Sequence, residues 1–509
     1  MKKKRLLIIG TAKQSYIKDY LAKVDYNTTE VHLLVPERDR ETYSLPNISY
    51  FKGNFHPLFL PLLKTMLFFK PDEAVIVCGM TYDHDNVVKA VSFYSCFKSL
   101  KVKISVRNID VPADANLRPS PAKEIAKWAG LGTIALLIKA VSFFKKIRVG
   151  EIYSTRLGHL TLECEIYLSE TDLGRHDGYL DLFYFKDDKV ANKTIASLYA
   201  RKMKIHRFNK HLLDAIRRFN MAEQHELLLN TRIIAFSRDF ECMLQQADRH
   251  IAFTEAQVIK GSETLKSMGV DPTLPHVCLL GRDSVFLQGA IPVFNDGDMQ
   301  RPRNMDIDTF KSGTEELLKH DYNVLRMGSV VKAPLQIDHP NFIDYATSGI
   351  RSDFMDIYLT SKCSFFVGIQ SGLQHVASAF RIPCLRVNVA RLEMIEYCYP
   401  EDLILFKLLW SKREKRILKV SEQLESGISR WPIEKFINSD IEVIDNTGDE
   451  LREAMLEMHQ RINGTWKTSP EDIELQNKYR SFFKVSELNS RFDTPVSSYF
   501  LRKHAAELF

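Results

Sequence analysis

The sequence predicts an α/β protein made of parallel-sheet units, and three observations carry that reading. From Tyr345 to Asn388 the chain reads helix, strand, tight turn, helix, strand. The first 115 residues alternate short apolar runs with stretches long enough for helices. Glycine turns also follow apolar runs, at Gly158, Gly281, Gly328 and Gly372. Open α/β sheets bind ligands at the carboxyl ends of their strands, so such turns mark where chemistry is to be sought.

The elements follow in order. Arg5–Gly10, Val31–Val35, Ile48–Phe51, Ala74–Cys78 and Val102–Val106 are predicted strands of an N-terminal α/β domain, residues 1–115. Its first turn, Gly10-Thr11-Ala12-Lys13, lacks GxGxxG, so no nicotinamide cofactor is indicated. The proline-rich stretch 111–122 reads as a linker. With the apolar run Trp128–Phe144 it makes up a connecting segment, 116–148. A second Rossmann-like unit, 149–270, is expected from the strand VGEIYS, the strand Leu182–Phe185 and the strand His250–Phe253. A third, 271–440, starts at His276–Leu280 and continues through Asn323–Met327, Ser364–Ile369 and Cys384–Val387. Ser352 or Asp353 caps the helix before Ser364, and Pro383 stops the helix after Gly372. Residues 441–509 are charged and helical, read as an extension that packs back on the domains or forms an arm.

Composition narrows the function classes. A chain of 509 residues has room for two or three domains. A net charge of +6 over that length fits an anionic substrate or a membrane surface and does not argue for nucleic acid. None of the eight cysteines forms a CxxC pair, which favours reduced core thiols over a zinc site and places the protein in the cytoplasm. The apolar run after Met1-Lys2-Lys3-Lys4-Arg5 is too short for a signal peptide and reads as a strand. No segment is a clean transmembrane helix. Trp128–Phe144 is interrupted by Lys139 and followed by Lys145, Lys146 and Arg148. It is read either as a helix lying on an anionic membrane (residues 128–148) or as a buried linker.

The chemistry-bearing residues gather at strand ends. Arg282-Asp283, Gly328-Ser329 and Ser371-Gly372 end neighbouring strands of the third unit and converge on one crevice. Arg282 suits a diphosphate bidentately, and the Ser371-Gly372 turn opens a helix whose free N–H groups and dipole favour a phosphate. Together they read as a donor-binding set that neutralises a departing nucleoside diphosphate. Arg303 belongs with them if the loop from Asp296 to Asn304 folds over that group. The Asp296–Asp298 DxD reads as a turn and not as a metal site. In the second unit, Thr155-Arg156-Leu157-Gly158-His159 forms the matching turn. Arg156 and Gly158 make an acceptor-side loop, with Gly158 allowing close approach, and His159 is the candidate general base. Asp283 and Asp353 are rivals for that role. Each of these residues has a plainer reading, as surface arginine, simple turn, helix cap or core histidine, and His375 reads as a core histidine.

Two consecutive Rossmann-like units, joined near residues 255–275 and followed by a returning helix, describe a GT-B layout. The stretches RVGEIYSTRLGHL, DLFYFKDDKVANKTI, VCLLGRDSVFL, NVLRMGSVVKAPL and ATSGIRSDFMDIYLTSKCSFFVGIQSGL resemble a bacterial GT-B glycosyltransferase family linked to surface polysaccharide and lipopolysaccharide biosynthesis. The resemblance covers roughly residues 145–420. The pattern of Arg282-Asp283 with Asp356, Gly368 and Ser371 is also similar to fucosyltransferase-like enzymes, which place an arginine after the first strand on the donor diphosphate. Where those carry a histidine two residues before the Arg-Asp pair, this chain has Leu280. The resemblance implies a metal-independent glycosyltransferase with no cofactor beyond its nucleotide-sugar co-substrate. It implies a glycan or glycolipid acceptor and work at the inner face of the membrane. A sugar-nucleotide epimerase or isomerase, and a non-catalytic nucleotide- or glycan-binding scaffold, are the competing readings.

Overall fold

The computed structural model of the protein describes residues 3–10, 14–36, 42–43, 45–51, 69, 71–78, 101–106, 109–112, 121–187, 189–229, 239, 241–282, 302–393, 399–437, 439–484 and 491–509. The chain divides into two compact units. The first is Met1–Val149 with Phe208–Glu226, and the second is Gly150–Arg207 with Leu227–Phe509.

The first unit is built on six strands: β1 (Lys4–Gly10), β2 (Thr29–Pro36), β3 (Ile48–Phe51), β4 (Glu73–Cys78), β5 (Lys101–Val106) and β6 (Ile109–Pro112). Their order is β3-β2-β1-β4-β5-β6, the doubly wound order in which the chain reverses direction beside its first strand. All pairs are parallel except β5 with β6. Leu7, Ile8 and Ile9 of β1 are fully buried, and Ile17 of helix α1 (Gln14–Leu21) joins Ile8, Leu33, Val35 and Val75 in one core cluster. Part of the predicted linker is structured: Val111 and Pro112 belong to β6, because the hairpin edge of β5 takes them up. Helix α2 (Pro121–Ser142) follows, with proline at its first position.

Strand β7 (Lys146–Ile152) carries the chain into the second unit, followed by α3 (Leu157–Asp172) and β8 (Tyr179–Phe185). The chain then returns to the first unit with α4 (Asn209–Arg218), and Phe219 just past its end meets Trp128 of α2 edge to face at 5.9 Å. Among the described residues, 149–270 hold only β7, β8 and the two-residue β9 (Glu226–Leu227), ordered β8-β7-β9. This is smaller than the Rossmann-like sheet the sequence suggests. His250–Phe253, expected as a strand, is extended without a ladder. The His250 backbone N–H donates to Glu165 Oε1 at 3.1 Å, and its ring lies between Glu165 and Asp172, so side chains take the bonds a neighbouring strand would have made. Phe253 stacks on Phe380 instead.

The rest of the second unit holds the other large sheet: β10 (His276–Leu280), β11 (Asn323–Arg326), β12 (Phe342–Ile343), β13 (Phe365–Gly368), β14 (Cys384–Val389) and β15 (Leu403–Phe406). It is parallel throughout, in the order β12-β11-β10-β13-β14-β15. Among the described residues, the two sheets of Rossmann order are thus this one and the sheet of β1–β6. Successive residues point to opposite faces. Val277, Leu279, Phe365 and Val367 face one core, while Cys278 and Phe366 face another with Met355 and Tyr358 of α7. Helices cover both faces, so these strands read as unbroken apolar runs. Helix α5 (Glu255–Ser267) begins at a Thr254 capping box, and α6 (Lys311–Lys319), α7 (Asp353–Lys362) and α8 (Gly372–Ala379) alternate with the strands. Ser352, not Asp353, caps α7. The C-terminal α9 (Gly448–Ile462), α10 (Pro470–Ser481) and α11 (Ser498–Leu508) are no free arm: Met455, Tyr479, Phe500 and Leu508 share the core of Val277 and Phe365.

Candidate active site

The sheet β10–β15 reverses its strand order between β10 and β13, and ligands of open α/β sheets settle in the crevice beside such a switch point. There, at the carboxyl ends of β13 and β14, lies a small, shallow cleft whose wall includes Arg303, Ile369, Gln370, Asn388, Arg391 and Ile433. Among the described residues, the charged side chains lining it are the two arginines, Arg303 and Arg391.

Arg303 is held there by its surroundings. Its Nη2 donates to the Gln370 carbonyl at 3.1 Å. The next residue, Asn304, gives its carbonyl to Lys407 Nζ at 2.8 Å, and the Met305 N–H donates to the Arg282 carbonyl at 3.0 Å. Lys407 is almost wholly buried and also reaches Asp445 Oδ1 at 2.6 Å. Burial pushes its ammonium below the ordinary lysine range, and Asp445 opposes that shift. Asn388, in the left-handed region at φ 52°, exchanges amide contacts with Asn446 across 2.8 Å, which fixes the end of β14.

Helix α8 starts at the rim of this cleft. Ser371 caps it, its Oγ accepting from the Gln374 N–H at 3.3 Å. Helix α3 starts against it: a Cβ on Gly158 would stand 2.6 Å from His375 Nδ1, and one on Gly372 would stand 2.9 Å from Leu157 Cβ. Two helix N-termini, each with positive dipole character, therefore meet glycine to glycine. His159, on the same first turn of α3, gives or takes a hydrogen bond at 2.6 Å between its Nδ1 and Glu163 Oε1, and its ring lies 5.4 Å from that of Tyr153. Glu163 is buried, so the carboxylate fixes the ring's orientation and leaves Nε2 as the face directed away from it.

The structure thus brings together Arg156, Gly158, His159, Ser371 and Gly372 on two touching helix starts, with Arg303 and Arg282 on the adjoining backbone. The space at Gly158, expected to admit a substrate, is filled by His375 and Gly372. Gly328 is buried against Val331 and Ala346 and Ser329 is exposed in the bend that follows β11, and neither lines the cleft. Asp283, the Asp296–Asp298 segment and Arg301 lie outside the described residues. Sequence reasoning missed Gln370, Asn388, Arg391 and Lys407. The first three follow the same strand-end rule as Ser371, whereas nothing local marks Lys407. It also underrated Asp356 on α7. Burial raises that carboxyl to about 6, although Arg351 beside it pulls the other way. Among the described residues, no group of three or more His, Cys, Asp or Glu side chains is arranged to hold a metal ion.

No protein-family model matches the chain, and no curated protein matches it. Among solved structures it is similar to the E. coli ADP-heptose lipopolysaccharide heptosyltransferase II, with 11% identity and a TM-score of 0.31 over 52% of this chain and 90% of that one. It is also similar to the dodecameric iron-containing heptosyltransferase TibC in complex with ADP-D-beta-D-heptose, an E. coli protein (13%, 0.33, 62% and 78%). A third is the family 9 glycosyl transferase from Veillonella parvula DSM 2008 (10%, 0.24, 86% and 95%).

Proposed function

We propose that the chain is a GT-B-type glycosyltransferase that moves a sugar from a nucleotide-sugar donor to a surface glycan or glycolipid acceptor. The observation that carries this reading is the cleft at the switch point, lined by Arg303 and Arg391, beside the N-terminus of α8. A nucleoside diphosphate is the ligand such a place suits. Arg303 and Arg282 supply fixed positive charge, and the first turn of α8 supplies N–H groups.

In the proposed reaction the acceptor hydroxyl oxygen attacks the anomeric carbon of the donor sugar. The bond from that carbon to the diphosphate oxygen breaks, and its electron pair leaves with the nucleoside diphosphate. His159 Nε2 takes the hydroxyl proton, and Glu163 steadies the imidazolium through Nδ1. The arginines meet the charge that grows on the leaving group, the role a metal fills in other sugar transferases.

The test is a thermal-shift screen of the protein against ADP-, GDP-, UDP-, CMP- and dTDP-sugars, followed by product analysis. One class of donor should raise the melting temperature, since a ligand that binds only the folded state stabilises it. Release of the donor's nucleotide should then require a glycan acceptor, and a response to CMP-sugars alone would count against a diphosphate site. No shift with any donor at millimolar concentration sinks the proposal. Conversion of the donor sugar without acceptor would make the protein an epimerase.

A further inference from the structure

Helix α2 is apolar on both sides, a pattern found in helices covered all round or lodged in lipid. Its inner side is accounted for: Leu131, Ala135 and Ile138 are buried, Trp128 meets Phe219 edge to face, and the Arg218 guanidinium sits 4.4 Å from the Trp128 ring centre. Its outer side is in the open. Leu136 is 70% exposed, Leu137 59%, Phe143 86% and Phe144 87%. These side chains do not hang from a loose tail. The Phe143 and Phe144 N–H groups donate to Ala140 and Val141, and the two rings meet edge to face at 5.4 Å.

Along the chain, the charge between Glu124 and Glu151 has one sign. From residue 125 to residue 150 the chain carries Lys127, Lys139, Lys145, Lys146 and Arg148 and not one Asp or Glu. Lys127, Lys139 and Lys145 are exposed, the last two flanking the Leu136–Phe144 face. No described helix is long and apolar enough to cross a membrane.

From this juxtaposition we infer that the outer face of α2 docks on an anionic lipid surface. Leu136, Leu137, Val141, Phe143 and Phe144 enter the headgroup boundary, and Lys139 and Lys145 pair with lipid phosphates. A protein partner with an apolar groove would leave the lysines unmatched, and a second copy of the same face would set lysine against lysine. A negatively charged bilayer satisfies both the greasy surface and its basic border. The inference rests on no residue of the cleft and stands or falls apart from the donor reading.

The test is flotation of the full-length protein with vesicles of phosphatidylethanolamine and phosphatidylglycerol, against vesicles of phosphatidylcholine alone. The protein should float with the anionic vesicles and be released as salt rises past the point where surface charges are screened. The double variant Phe143→Ser, Phe144→Ser should partition at least about tenfold more weakly. Lys139→Glu with Lys145→Glu should erase the preference for anionic vesicles. All four side chains are exposed, so melting temperatures and donor-induced shifts should match the wild type. Absence of flotation, or equal flotation of wild type and both variants, overturns the inference. So does a concentration-dependent dimer that Phe143→Ser, Phe144→Ser dissociates, which would assign the face to a second copy.

Discussion

Gly158 and His375 lie so close that a single added carbon on the glycine would come within 2.6 Å of the imidazole Nδ1. The same neighbourhood holds Gly372, whose own Cβ would approach the Gly158 nitrogen to 3.2 Å. His375 is 8% exposed and has no open side to turn toward. Glycine at both positions is therefore what lets the first turns of α3 and α8 touch. Gly158→Ala should push the two turns apart. Overpacking of this kind costs about 1–3 kcal/mol, more than the gain of up to about 1 kcal/mol that alanine brings to a helix. The variant should melt earlier and respond less to the donor. A melting curve and donor response equal to wild type would show that the contact has no such role.

Arg303 reaches the cleft through a loop tied down by Lys407. Removing the guanidinium in Arg303→Ala should weaken donor binding by on the order of 2 kcal/mol, or roughly thirtyfold. Lys407→Met keeps the volume but strips the Asn304 carbonyl of its donor, which should lower stability by about 1–3 kcal/mol and weaken the donor in the same direction. Because Lys407 acts through Arg303, the double variant should bind donor no worse than Arg303→Ala alone. Fully additive losses in isothermal titration would separate the two residues.

The sheet strands were readable because a parallel strand covered on both faces is an uninterrupted apolar run, as in Phe365–Gly368 and Cys384–Val389. The cap at Ser352 is legible, as one of two candidates, because the N–H it accepts from, that of Met355, is three residues away. What escaped was long-range. His250–Phe253 has a strand's composition, yet its hydrogen bonds go to Glu165, 85 residues earlier. Lys407 belongs to the cleft through Asn304, 103 residues away. The glycine of an acceptor loop and the glycine of a packed helix pair look alike in sequence; only the presence of His375 against Gly158 tells them apart.

His159 and Glu163 share the first turns of α3 at a spacing of four residues, the one that puts two side chains on the same helix face. If His159 accepts the acceptor proton, His159→Gln should lower kcat by on the order of 10²–10⁴ while leaving donor affinity near wild type. Glu163→Gln should give a smaller loss of the same kind, since it disturbs only the orientation of the ring and the charge beside it. Steady-state kinetics with the donor found by the thermal screen distinguish this from packing. A loss confined to KM, or to thermal stability, would leave His159 a structural residue.

Asp356 gives the fold a pH dependence of known sign. Its carboxyl titrates at about 6 in the folded protein, against an ordinary value of 3.8, because burial disfavours the charged form more than Arg351 favours it. The folded state therefore holds this proton more tightly than the unfolded chain does. The protonated form contributes stability that is complete below about pH 4 and lost as the pH rises through 6. The shift corresponds to about 3 kcal/mol. Asp356→Asn stays neutral throughout, and Arg351 keeps a carboxylate at 3.6 Å in Asp353. Urea unfolding of both proteins between pH 4 and pH 7.5 should show the variant gaining on the wild type as the pH rises, by up to about 3 kcal/mol, with most of the change between pH 4 and pH 6. Parallel stability curves across that range would mean that the folded and unfolded carboxyls titrate alike, and that Asp356 is not held in the dry setting its contacts describe.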